Sequence, residues 1–201
     1  MQTLAAIGIV LATTLWAVGA TPGNHQVVRV CLGTDLNEKE YALLPLVEAK
    51  TSKLFATIDI RLEWTKDRRC CHNDLGAIRL SVRRQAAPAS GPDWLGYALP
   101  YDRGQIVAFY DRVVSSRGIV SIEDMLAHVF AHEIAHSLEG ISRHSASGIM
   151  KASWDNTDRL LMTQGSLTFA PIDIKLIRDG VITRVEGSGA ADRGRTNGGV
   201  K

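Results

Sequence analysis

The stretch His132-Glu133-Ile134-Ala135-His136 constrains the fold of this chain more than any other segment. Two histidines four residues apart lie nearly one above the other on a helix, so both imidazoles can reach a single ion. Glu133, between them, can hold a water molecule on that ion. Zinc favours four ligands and a catalytic zinc keeps one position for water, so a third protein ligand must come from elsewhere. The spacing therefore predicts a helix that carries a metal centre.

The residues around this stretch predict where its helix begins and ends. Ser121 is placed as an N-cap, with Asp124 three residues later as a variant capping box. Gly140 is placed to stop the helix, after which the chain can turn back and bring His144 under the metal. The helix is amphipathic, with an apolar stripe at helical spacing made of Ile122, Met125, Leu126, Val129, Phe130, Ile134 and Leu138.

These residues together resemble the metzincin metallopeptidases, which carry H-E-x-x-H-x-x-G-x-x-H and then a tight turn with a methionine below the metal. Gly140 comes one residue later than in that pattern, and His144 two residues later. Met150 follows in the segment that resembles the methionine turn, and Trp154 follows where many metzincins place a tyrosine. The region from about 94 to 180 also resembles a group of small secreted bacterial proteins described as zinc metallopeptidases. The segments that carry this second likeness are 109–112 and 144–150.

The resemblance implies an α+β, zincin-like fold. It comprises a small mixed twisted sheet, a backing helix, an active-site helix, and a C-terminal subdomain with the methionine turn and a final helix. It also implies Zn²⁺ on His132, His136 and His144, with Glu133 as the general base. Bound zinc brings the pKa of a water molecule to about 7, and a carboxylate completes its activation. We therefore expect an exported zinc-dependent endopeptidase that acts on a peptide or protein substrate.

Other candidate residues leave alternatives open. His128 lies one turn before His132 and is interpreted as structural, because zinc on that pair would leave Glu133 poorly placed. Glu139 could replace His144 as third ligand but is expected to face solvent. Three tyrosines are candidates to stabilise the oxyanion, and spacing cannot choose among Tyr97, Tyr101 and Tyr110.

Length and composition indicate one domain. The chain has 201 residues, 45% of them hydrophobic, and a formal net charge of +2. This balance gives no reason to expect nucleic acid or an anionic membrane as a partner, and we expect a monomer. Residues 1–20 are interpreted as a signal peptide cleaved after Ala20, which implies a secreted or periplasmic protein; an uncleaved N-terminal anchor is the alternative. The predicted catalytic domain spans 21–186, and 187–201 is expected to be a disordered tail.

Export implies an oxidising compartment, in which disulfides form. The three cysteines are Cys31, Cys70 and Cys71, and a disulfide from Cys31 to either of the other two is plausible. A metal cluster of Cys70, Cys71 and His72 is a sharper alternative.

Hydrophobic patterning predicts a strand-helix-strand-strand order before the active-site helix. The predicted strands are 27–32, 58–64, 77–82, 95–99 and 106–110. The predicted helices are 36–55 and 171–178, and 157–163 is expected to be a short helical or irregular piece. Thr34 or Asp35 is expected to cap the first helix, and Pro45 to kink it or move its start later. Strand 95–99 is expected to be an antiparallel edge strand above the cleft, where an extended peptide could add.

Two other functions compete with the endopeptidase. A zinc-stabilised binding module could keep the same fold without turnover, although it would not need Glu133. A zinc hydrolase could instead act on cell-wall peptides.

Overall fold

A computed structural model describes the chain over residues 26–66, 74, 76–86, 91, 93–99 and 104–196, with the backbone alone from 185 onward. The predicted signal peptide, Cys70, Cys71, His72 and Tyr101 lie outside the described residues.

A five-stranded mixed sheet forms the upper layer of the molecule. Its strands are β1 (Gln26–Thr34), β2 (Ile60–Thr65), β3 (Ile78–Arg83), β4 (Gly96–Leu99) and β5 (Gln105–Phe109). The spatial order is β2-β1-β3-β5-β4, with β4 antiparallel to β5 and the other pairs parallel. The prediction of an antiparallel edge strand near residues 95–99 is therefore confirmed.

Six helices accompany the sheet in the described part of the chain: α1 (Glu38–Tyr41), α2 (Leu44–Ala56), α3 (Tyr110–Ser116), α4 (Ile122–Glu139), α5 (Asn156–Thr163) and α6 (Pro171–Thr196). Helix α2 packs on α4, and α4 also contacts strands β4 and β5. The strands alternate buried and exposed residues, as expected for a sheet with one covered face. The buried face is apolar and comprises Val28, Val30, Leu32, Ile60, Leu62, Ile78, Leu80, Val82, Ile106 and Ala108.

The predicted helix over 36–55 is split in two. Thr34 belongs to β1 and Asp35 accepts a hydrogen bond from the Arg84 amide (2.7 Å), so the prediction that either residue caps this helix is wrong. Asn37 is the N-cap of α1 instead. Pro45 lies in the first turn of α2, where its missing N–H has no cost, so the proline moves the start of the main helix.

Helix α6 continues beyond the predicted end at Arg178. A Cβ atom on Gly180 would lie 1.8 Å from the Leu138 carbonyl oxygen, so this glycine permits close contact between α6 and the end of α4. Gly180 therefore has a packing role inside the helix and does not end it. The backbone of 187–196, predicted to be a disordered tail, continues the helix, and residues 197–201 lie outside the described residues.

Two further observations concern the covalent structure and the membrane. Cys31, buried on β1, is disulfide-bonded, and the chain's other two cysteines lie outside the described residues. Among the described residues, no helix combines the length and the apolar composition needed to cross a membrane.

Candidate metal centre and cleft

The ends of helix α4 are those predicted from the sequence. The Ser121 hydroxyl accepts the Asp124 amide (3.0 Å) at the N-terminus. The Asp124 carboxylate accepts hydrogen bonds from Ser121 (2.7 Å) and Lys50 (2.5 Å), so it ties α2 to the start of α4. Gly140, at φ 68°, ends the helix in the left-handed conformation that glycine adopts without strain.

The three predicted ligands meet at one point. One ring nitrogen from each of His132, His136 and His144 lies within 4.8 Å of the others. The first two residues are buried on α4, and His144 reaches them from the exposed loop that follows Gly140. Of the two extra residues relative to the metzincin pattern, one lies between His136 and Gly140 at the end of α4 and the other in this loop, and the imidazoles still converge.

Backbone carbonyls determine which nitrogens can bind a metal. His132 Nδ1 lies 2.8 Å from the Ile149 carbonyl oxygen, and His136 Nδ1 lies 3.3 Å from that of Ile141. A carbonyl only accepts, so each Nδ1 carries the proton and each Nε2 presents a lone pair. These two Nε2 atoms lie 3.0 Å apart. Two facing lone pairs repel each other unless a cation lies between them, so the donor set fits a metal ion such as zinc.

Burial keeps these imidazoles neutral. Burial, with a smaller contribution from nearby His136, lowers the pKa of His132 to about 3. Burial, with a smaller contribution from His144, lowers the pKa of His136 to about 4. Burial also lowers the pKa of His144. Neutral imidazole is the form that binds metal, so the ligands need lose no proton near neutral pH.

A turn after His144 closes the site from below. The Ser145 amide donates to the Met150 carbonyl (2.7 Å), and Met150 is fully buried. Gly148, at φ 79°, fits this turn because a Cβ there would lie 2.4 Å from the Thr168 carbonyl oxygen. The Ile149 carbonyl, which holds His132, also accepts the Trp154 indole N–H (3.2 Å). The turn backbone therefore orients a candidate ligand and a wall of the cleft together.

Glu133 lies in the same cleft beneath the edge strand. Burial raises the pKa of its carboxyl to about 8. A Cβ on Gly96 of β4 would lie 3.2 Å from Glu133 Oε1 and 2.8 Å from the Val107 carbonyl. The missing side chain at Gly96 thus gives the carboxyl its space. Sequence reasoning missed this residue, whose signal was a glycine at the start of a strand.

His128 and Glu139 both lie outside the group of three histidines. His128 Nδ1 lies 2.7 Å from the Asp124 carbonyl one turn earlier, and the ring is buried. The Glu139 side chain is 0% exposed, so the prediction that it faces solvent is wrong. Helix α6 covers it, and burial raises its pKa to about 7. Its nearest cation is Arg143, at 3.7 Å.

The described candidate tyrosines do not converge on the metal centre. Strand side chains alternate between faces, and Gly96 faces Glu133, so Tyr97 points to the other face, where its ring packs against Phe109 at 5.9 Å. Tyr110 is buried at the start of α3, where burial raises its pKa.

Asp173, which sequence reasoning did not single out, anchors the loop that carries His144. Its carboxylate is fully buried and accepts hydrogen bonds from Arg143 (2.7 Å) and Ser145 (2.5 Å). The two residues that flank the third imidazole are thus held by one group on α6. The sequence offered one signal for this role, because Asp173 comes three residues after Ala170, the position just before helix α6. The Ala170 amide donates to the Asp173 carboxylate (3.3 Å).

The three imidazoles and Glu133 line an open cleft of about 830 Å³. Strand β4 and Trp94 form its upper rim, and the segment 151–154 forms its lower rim. Helix α3 and Arg159 of α5 bound it at one end. The site is therefore reached from solvent along a groove that runs beside an edge strand.

Comparison with solved structures shows a shared fold. No protein-family model and no curated protein sequence matches the chain. The chain is similar to the crystal structure of archaemetzincin from Methanopyrus kandleri, at 13% identity and a TM-score of 0.50, covering 80% of this chain and 99% of that one. It is also similar to a zinc-dependent peptidase from Methanocorpusculum labreanum, at 15% identity and a TM-score of 0.51, covering 75% and 99%. The predicted zincin-like, metzincin-type fold is confirmed.

Proposed function

We propose that this protein is a zinc-dependent endopeptidase that cleaves peptide bonds in the cleft beneath strand β4. The observation that carries the proposal is the convergence of three imidazole nitrogens within 4.8 Å of one another in a cleft that also contains Glu133. The similarity to a zinc-dependent peptidase of the same fold supports it. His132, His136 and His144 would hold the ion. When bound, zinc would supply Lewis acidity toward a peptide carbonyl and toward water.

Glu133 is the general base in this proposal. Burial alone favours its protonated form, and a cation held by the adjacent histidines would favour the carboxylate. The carboxylate takes a proton from the attacking water as the water oxygen bonds to the carbonyl carbon. It then delivers that proton to the departing amine nitrogen as the C–N bond breaks.

Strand β4 would bind the substrate backbone. Its inner edge pairs with β5, so its outer edge can pair with an extended peptide. Gly96 places that edge directly over Glu133. A peptide added beside β4 would therefore run along the cleft next to Glu133.

The experiment is to measure zinc content and casein cleavage for wild type, Glu133→Ala and His144→Ala. We expect Glu133→Ala to keep zinc and lose activity, and His144→Ala to lose most of its zinc. Glu123→Gln, at the far end of the same helix, is the matched control and should resemble wild type. Cleavage by Glu133→Ala at the wild-type rate would overturn the mechanism. Zinc binding without cleavage by wild type would favour a zinc-stabilised binding module.

Export is a separate part of the proposal. The disulfide at Cys31 supports it, because disulfides persist in oxidising compartments. The apolar residues near the N-terminus support it as well. Expression in a bacterial host followed by fractionation and N-terminal sequencing tests this point. We expect a mature chain that begins after Ala20; retention of the full chain in the cytoplasm would contradict it.

A further inference from the structure

The cleft extends past the three imidazoles into the gap between helices α3 and α5. Met125 and Val129 line it from α4, seven and three residues before His132 and therefore on the same helix face. The Trp154 ring also lines it, 5.7 Å from the His132 ring. Arg159 and Ser116 line the same cleft from α5 and α3. The walls beside the metal centre are thus apolar, and a guanidinium lies farther in.

Arg159 is held in one orientation by neutral groups. Its two terminal nitrogens donate to the carbonyls of Trp154 (2.9 Å) and Ser116 (3.0 Å). Its Nε atom is buried and has no hydrogen-bond partner among the residues that the structure describes. A guanidinium has five N–H donors, so a further acceptor can bind to the donors that these two hydrogen bonds do not use.

Among the described residues, no carboxylate neutralises the charge of Arg159. No aspartate or glutamate in the described part of the chain forms an ion pair with it. Lys151, on the lower rim, differs from Arg159, because it is paired with Asp155 (2.7 Å) and Asp158 (2.5 Å). Arg112, one helical turn before Ser116, donates to the carbonyls of Gly91 and Trp94 and pairs with no carboxylate in the described part of the chain.

Besides Glu133, two aspartates line the cleft, but their positions place them away from Arg159. Asp93 lies on the upper rim, beside Trp94. Asp111 is in the first turn of α3, five residues before the Ser116 carbonyl that holds Arg159. At a rise of about 1.5 Å per residue, that separation is about 7–8 Å along the helix axis. The inner end of the cleft is therefore cationic.

We propose that Arg159 binds a carboxylate of the substrate close to the scissile bond and so determines specificity. This inference rests on the proposed peptidase function. An apolar wall of Met125, Val129 and Trp154 with a cation in the same cleft complements an acidic residue, whose aliphatic stem precedes its charge. The carboxylate has two possible sources, an aspartate or glutamate side chain or the free C-terminus of a short peptide.

The experiment compares matched fluorogenic peptides with zinc-loaded full-length protein. One series places Glu, Gln, Leu or Lys at each position flanking the cleaved bond, with the C-terminus amidated. A second series has only neutral side chains and a free or amidated C-terminus at increasing distance from the bond. A charge-assisted hydrogen bond contributes about 1.5–3 kcal/mol, so we expect kcat/KM to favour the carboxylate peptide by about tenfold to a hundredfold. The series that shows the preference identifies the source.

Variants assign the preference to Arg159. Arg159→Met should abolish the ratio of carboxylate to neutral cleavage, and Arg159→Glu should reverse it toward Lys peptides. Arg178→Met is the matched control, since Arg178 pairs with Asp59 (2.6 Å) on the far side of α6, and should keep the wild-type ratio. Zinc content and circular dichroism show whether each variant is folded. Arg159→Lys, which keeps the charge, should keep part of the preference if Arg159→Met fails to fold.

The outcomes separate this inference from the proposed function. Cleavage of all peptides at one rate by wild type overturns the role of Arg159 and leaves the peptidase intact. If wild type cleaves no peptide, binding of the same peptides to zinc-loaded Glu133→Gln is measured by fluorescence anisotropy. Tighter binding of carboxylate peptides, lost in an added Arg159→Met change, would then support the inference although the peptidase had failed. Equal binding would overturn both.

Discussion

Asp173, buried near the start of α6, accepts a hydrogen bond of 2.7 Å from Arg143, the residue that precedes His144. The same carboxylate accepts from Ser145 on the other side of that histidine. The third imidazole belongs to an exposed loop, yet both its neighbours are fixed to a helix of the lower subdomain. The position of this candidate ligand therefore depends on residues nearly thirty positions away in sequence.

Asp173→Asn should weaken zinc binding although residue 173 is not a ligand. The amide keeps the shape but loses the charge that pairs with Arg143, so the loop is held less firmly. Loss of such outer contacts typically costs about 10–100-fold in metal affinity. Competition with a chromophoric chelator measures the effect, and Asp179→Asn, an exposed pair with Lys175, is the control. Unchanged affinity in Asp173→Asn would show that the loop holds its shape without this carboxylate.

Gly96→Ala should lower activity while zinc stays bound. The new Cβ would lie 2.8 Å from the Val107 carbonyl and 3.2 Å from Glu133 Oε1, so strand or carboxyl must shift. A general base accelerates the reaction by about 100-fold or more, and a displaced base supplies less of that acceleration. We therefore expect kcat/KM to fall by at least about tenfold. Gly33→Ala is the control, because its Cβ would meet only Ser81 Oγ at 3.8 Å. A fully active Gly96→Ala enzyme would place the base elsewhere.

The metal-free protein should lose stability as the pH rises because of Glu133. Its carboxyl has a pKa of about 8 when folded, raised from 4.5 by burial. Between those values the folded state holds a proton that the unfolded chain has released, so the free energy of unfolding falls with rising pH. The slope is about 1.4 kcal/mol per pH unit for one such group. The lowered pKa values of His132 and His136 act in the opposite direction, but only below 6.5.

Glu133→Gln should remove this pH dependence above pH 7. The raised pKa of Glu139 contributes with the same sign only up to about 7, so urea unfolding of chelator-treated protein from pH 7 to 9 isolates Glu133. Glu123→Gln should keep the wild-type slope. Identical slopes in wild type and Glu133→Gln would mean that the buried carboxyl is ionised without metal.

Gly180→Ala should destabilise the protein despite the better helix propensity of alanine. The Cβ would lie 1.8 Å from the Leu138 carbonyl oxygen, so α6 must move away from α4. Overpacking of this kind costs about 1–3 kcal/mol, against about 1 kcal/mol gained in propensity, and we expect a net loss of up to about 2 kcal/mol. Gly165→Ala has open space around its Cβ and should show only the strain of its positive φ. A more stable Gly180→Ala protein would contradict the tight helix contact.

The sequence predicted those parts of the fold that depend on local chemistry. The side-chain preference of Ser121 and the backbone preference of Gly140 determine the ends of α4. The alternation of apolar and polar residues predicted the strands of the sheet. Helix α3 and the true cap at Asn37 were missed, because several polar residues near position 35 could serve as caps. The end of α6 was wrong because Gly180 is typical of helix ends, whereas here it permits contact with another helix.

The candidate site shows the same division. His132, Glu133 and His136 share one helix, so their spacing alone predicts that they lie together. The positions of Asp173, Gly96 and Arg159 follow from packing between elements distant in sequence, which no local pattern encodes. The burial of Glu139 has the same origin, because it depends on helix α6 covering the end of α4.

The carbonyl oxygen of Ile149 accepts hydrogen bonds from both the His132 imidazole and the Trp154 indole. One oxygen atom thus joins the metal-binding function to the shape of the groove beside it. A redesign of this groove that moves Trp154 will also tilt the His132 ring. Laboratory evolution toward new cleavage preferences should therefore exchange residues 145–154 together. Single substitutions in this segment that alter substrate selectivity would also weaken metal binding.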